Sequence, residues 1–122
     1  MFRLLNILLL IAFFIPVLAQ AEEPPTIGDM ISLYENGNEE AKKTIEAAFV
    51  GIETGLGWAN TELQAESRTP LYCQPGNLGL TGSQSYSIFL SEVEKRDEYL
   101  DFNYRSRGMF LLDGLKATFP CE

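Results

Sequence analysis

The sequence predicts a small all-α protein, a single domain of about four helices closed by one disulfide. Three observations carry this reading. The apolar residues Ala41, Ile45, Phe49, Ile52, Leu56, Ala59 and Leu63 advance in steps of three and four, which makes one continuous helical face. Shorter stripes with the same spacing come before and after it. Two cysteines, Cys73 and Cys121, sit in a chain that opens with an export signal, and an even count in an oxidising compartment reads as one bond.

Residues 1–21 have the three parts of a secretory signal: Arg3, the apolar run Leu4 to Leu18, and Ala19-Gln20-Ala21 as a small-residue cleavage site. The run is short for a membrane span and contains Asn6 and Pro16, so cleavage after Ala21 is expected over a retained anchor. That leaves residues 22–122 as the exported mature domain, free of the membrane. Glu22 to Pro25 reads as an extended or disordered lead. A first helix follows from Thr26 with Ile27, Met30, Ile31 and Tyr34 on one side, and Asn36-Gly37-Asn38 ends it.

Asn38 caps the second and longest helix, with Glu39 and Glu40 in its first turn. Gly51, Gly55 and Gly57 lie inside it. The 51/55 spacing predicts a small-residue face for close helix packing, in this domain or across a dimer, with a kink near Gly55 to Gly57 as the alternative. Trp58, the sole tryptophan, is expected in the core or at its edge. From Ser67 the prolines 70 and 75 and the glycines 76, 79 and 82 mark a loop that contains Cys73.

Thr81-Gly82-Ser83-Gln84 matches a capping box, and Tyr86, Phe89, Leu90 and Val93 predict a third helix to about Asp97. Residues 92–101 hold five acids against Lys95 and Arg96, a run usually read as a solvated helix end. A last helix over about 104–118 should pack Met109, Leu112, Leu115 and Phe119, with Pro120 stopping it before Cys121.

Charge and residue types exclude several functions. The chain has 9 basic and 17 acidic residues; without Arg3 the mature domain carries 8 against 17, a net charge of −9. Nucleic-acid binding needs the opposite excess. With 46% hydrophobic residues the chain is too apolar to be a disordered acidic segment. There is no histidine, which removes the usual general base and the commonest metal ligand. A catalytic thiol would lack its histidine partner, and no phosphate-binding glycine loop or calcium loop is present. Neither an enzyme nor a cofactor nor a metal is expected.

The run Gly55-Leu56-Gly57-Trp58-Ala59-Asn60, then Leu71-Tyr72-Cys73-Gln74-Pro75, a polar-capped amphipathic helix, and Gly114-Leu115-Lys116-Ala117-Thr118-Phe119-Pro120-Cys121 resembles the Tai-type immunity proteins. These are small exported bacterial proteins that neutralise peptidoglycan amidases delivered by type VI secretion. The resemblance covers about residues 48–121; in contrast to similar proteins, residues 97–104 here contain no proline. It implies a helical fold with a Cys73–Cys121 disulfide, a homodimer, and inhibition by occluding the active site of a protein toxin. The candidate contacts are the loop residues Gln74, Pro75, Gly76, Asn77 and Leu78, as part of Gln74 to Gly82, and the acids Glu94, Asp97, Glu98 and Asp101. An anchored loop enters a cleft at low entropic cost, and clustered acids speed encounter with a basic partner. The competing expectation is a periplasmic acid-stress chaperone of the HdeA kind, in which protonated carboxylates loosen the fold.

Overall fold

The computed structural model describes residues 22–122; the export signal expected over residues 1–21 lies outside the described residues. The domain is all-helical, with four α-helices and one Cys73–Cys121 disulfide. Helix α1 spans Ile27–Asn36, α2 Glu39–Ala65, α3 Gly82–Val93 and α4 Arg107–Thr118, with 3-10 turns at Asp97–Asp101 and Tyr104–Ser106 between the last two. Among the described residues no helix is long and apolar enough to cross a membrane.

Local chemistry sets the helix ends. Thr26 caps α1 through a box with Asp29, whose carboxylate accepts from the Thr26 amide at 2.8 Å. Asn38 accepts from the Ala41 amide at 2.8 Å and starts α2, which then runs unbroken for 27 residues. The helix is therefore not broken at Gly55 to Gly57. Thr81 and Gln84 form the predicted box at α3, so three helix starts satisfy otherwise orphaned amides.

The core is one aromatic and aliphatic cluster. Ile27, Ile45, Phe49, Tyr86, Phe89, Val93, Phe110, Leu111 and Leu115 are all buried. Phe49 lies 4.9 Å from Phe89, ring centre to ring centre, and Tyr34 stacks on Tyr86 at 3.7 Å, so α1, α2 and α3 meet through rings. Tyr99 and Phe102 from the link carry the chain of rings on to Phe110 of α4. The extended lead is pinned: the Ile27 amide donates to the Phe102 carbonyl at 2.8 Å and the Tyr104 amide to the Pro25 carbonyl at 2.9 Å.

Four expectations are corrected. Helix α3 stops at Val93, four residues early, and residues 97–101 wind into a 3-10 turn. Helix α4 buries Phe110 and Leu111 while Met109 is 48% exposed, a phase the unbroken apolar run 109–112 could not specify. Trp58 is 67% exposed, because it lies on the side of α2 opposite Phe49 and Ile45. Within the domain the tight helix contacts belong to other glycines: a Cβ on Gly51, Gly55 or Gly57 would meet nothing within 4 Å, whereas one on Gly114 would lie 2.7 Å from the Ile88 carbonyl oxygen and one on Gly82 would lie 2.7 Å from Glu46 Cβ. Helix α3 therefore packs against both α2 and α4 at points where only a hydrogen fits.

Candidate functional site

The C-terminal half of α2 carries Glu53, Gly57, Asn60 and Gln64 at steps of four, three and four, one strip of the helix facing the loop that follows it. Asn60 is 8% exposed and joins the two. Its side-chain amide donates to the Tyr72 carbonyl at 3.0 Å, and its side-chain oxygen accepts from the Leu71 amide at 2.7 Å. Asparagine is a poor residue for a helix interior, and these two backbone bonds are what it does there.

The other side of the loop is held by the end of α4. The Cys73 amide donates to the Phe119 carbonyl at 2.8 Å, and Cys73 is bonded to Cys121 with a Cα–Cα distance of 5.0 Å. Residues 71–73 are thus fixed on two sides, and the loop leaves them in a set direction. It then closes on itself: the Gln74 side chain donates to the Leu78 carbonyl at 2.5 Å, and the Leu78 amide donates to the Pro75 carbonyl at 3.0 Å. Pro75, Gly76, Asn77 and Leu78 are exposed on this frame and Gln74 is half-buried.

Between the loop and α2 lies a groove of about 530 Å³. The helix strip from Glu53 to Gln64 makes one side, the segment from Tyr72 to Leu78 makes the other, and Trp58 lies along it. Among the described residues no lysine or arginine lines it, and Glu53 is its one charged side chain. Burial, and then the nearby Glu53 carboxylate, push the Tyr72 phenol above its usual range. The buried Tyr72 hydroxyl has no hydrogen-bond partner among the described residues.

The predicted loop and the predicted acids are separate places. None of Glu94, Asp97, Glu98 and Asp101 lines the groove. Glu94 and Asp97 border a hollow of about 250 Å³ with Ile31, Glu35 and Leu100, and Glu98 and Asp101 are exposed on the adjoining 3-10 turn. Arg96 offsets part of this charge, reaching Glu98 at 3.4 Å. Among the described residues no three metal-ligating side chains cluster.

Three short segments of the sequence, Gly55 to Asn60, Leu71 to Pro75 and Gly114 to Cys121, converge here through Asn60 and the disulfide. The roles of Asn60, Glu53 and Gln64 were not assigned from sequence; an asparagine inside a long apolar-striped helix was the available signal for the first. No protein-family model, curated protein or solved structure matches the chain.

Proposed function

We propose that this protein is an exported, periplasmic inhibitor that binds a secreted toxin enzyme and occludes it, with no chemistry of its own. The resemblance of residues 48–121 to Tai-type immunity proteins supplies the toxin class, a type VI peptidoglycan amidase, and a homodimer as the working form. The observation that supports the reading best is the loop Gln74–Leu78. Its residues 75–78 are exposed and non-helical, and the segment 71–73 that leads into it is fastened by Asn60 and Cys121, so it can enter a cleft with little further loss of freedom. The acids at 94, 97, 98 and 101 supply long-range attraction to a basic partner.

The acid-stress chaperone has less support. The ion pairs among the described residues, Glu66–Arg68, Glu92–Lys95 and Arg96–Glu98, join near neighbours in sequence, so acid has no ion pair between helices to release. Co-expression of the mature protein with the toxin encoded beside it, in the periplasm, tests the inhibitor. Restored growth and a complex on size exclusion are expected. A folded, oxidised protein that gives neither would overturn the reading, and suppression of client aggregation at about pH 2–3, with new dye-binding surface, would favour the chaperone.

A further inference from the structure

We infer that the groove between α2 and the Cys73-anchored loop binds a short neutral saccharide, with Trp58 as the surface on which a sugar ring stacks. The inference does not depend on the inhibitor reading. Its volume, about 530 Å³, is in the ~300–1,000 Å³ range of small-molecule sites. A sugar ring has an apolar C–H face and a rim of hydroxyls that both donate and accept. The groove offers the complement. Trp58 leaves 67% of its surface in water, a costly placement for the largest apolar ring unless something covers it.

The polar groups beside it are of the kinds that pair with hydroxyls. Glu53 accepts, Thr54 both donates and accepts, and the Gln64 amide does both; none of these three side chains makes a hydrogen bond among the described residues. The absence of lysine and arginine from the lining among the described residues, with Glu53 present, disfavours phosphate and carboxylate ligands. A wholly apolar ligand would bury Glu53 and Gln64 without partners. An extended peptide would lack a strand edge to pair with, since the groove is bounded by a helix and a self-bonded loop.

The shape is made in advance. The loop wall is fixed by Asn60 and the disulfide, so binding orders little. Gly57 keeps the helix side of the groove low, and a Cβ there would have no atom within 4 Å. A glycine inside a helix costs up to ~1 kcal/mol relative to alanine, and Gly57 has no packing reason to be one.

Because Trp58 is the sole tryptophan, its emission reports from the site alone. Titration of the oxidised mature protein with tri-N-acetylchitotriose and with maltotriose, both uncharged, should give a saturable shift in emission with at least one of them. By calorimetry, Trp58→Ala should abolish that binding. Gly57→Leu, which fills the groove without touching the core, should weaken it by about tenfold or more while circular dichroism and the unfolding midpoint show a folded domain. Silence of both sugars at millimolar concentration would overturn the inference, as would binding unchanged in either variant. An emission shift produced only by a protein ligand would also overturn it, in favour of peptide docking.

Discussion

A Cβ at Gly114 would sit 2.7 Å from the carbonyl oxygen of Ile88, so α3 and α4 meet backbone against side-chain-free backbone. Gly114→Ala should therefore destabilise the domain by about 1–3 kcal/mol, because overpacking outweighs the gain in helix propensity. Urea unfolding monitored by circular dichroism checks this. An unchanged midpoint would mean that the two helices part easily.

Gly55 should behave in the opposite way. Nothing lies within 4 Å of its missing Cβ, so Gly55→Ala should raise stability by up to about 1 kcal/mol. Gly55→Leu should leave the fold intact. If Gly55→Leu lowers the mass in solution while the domain remains folded, the open face of α2 lies in the interface of a homodimer.

Asn60→Ala removes both bonds to the loop. The Leu71 amide and Tyr72 carbonyl are then left without partners in a largely buried place, for a cost of about 2–3 kcal/mol. Amide exchange should rise at Leu71 before it rises in α3. Retained protection there would show that the disulfide alone holds the loop.

Cys121→Ser should cost about 2–5 kcal/mol, because the bond closes a long loop in a small domain. Mass spectrometry of non-reduced protein should find the peptides of Cys73 and Cys121 linked. Two free thiols in protein purified from the periplasm would count against the pairing.

Alkali should weaken the fold. Burial, and then the hydrogen bond to Glu46, push the Tyr34 phenol up to about 12 from its usual 10.0, and burial also raises Tyr72 and Tyr86. A raised folded value means that the unfolded chain ionises first. The stability that Tyr34 contributes is whole below pH 10.0 and is lost as pH rises toward about 12, and Tyr72 and Tyr86 act in the same direction. Stability measured across that window should fall, and Tyr34→Phe should make the fall shallower.

Helix α2 and the start of α3 were legible because each depends on local chemistry: one long stripe in the first case, Thr81 with Gln84 in the second. The phase of α4 was not. Met109, Phe110, Leu111 and Leu112 are all apolar, so only the fit against Phe89 and Phe102 decides that Phe110 and Leu111 go inside. The glycines failed for a related reason, since nothing in Gly51 or Gly114 itself says which one faces another helix. The loop Gln74–Leu78 could be recognised as an exposed connection held at Cys73. Its second fastener, Asn60, could not, because the groups it binds are main-chain atoms that any residue would supply.

The pairing of Pro25–Ile27 with Phe102–Tyr104 also fixes when the domain can close. If the chain is threaded through a membrane channel starting from its N-terminus, the strap at Thr26 emerges before the segment it must grip, which follows only after α1, α2 and α3. Cys73 likewise waits for Cys121. Until Phe102, Tyr104 and Cys121 arrive, the emerged chain has neither fastening, so the loop and its groove take shape only after these residues have passed. A chain truncated before Phe102 should thus remain susceptible to proteases even though it contains α1, α2 and α3 complete.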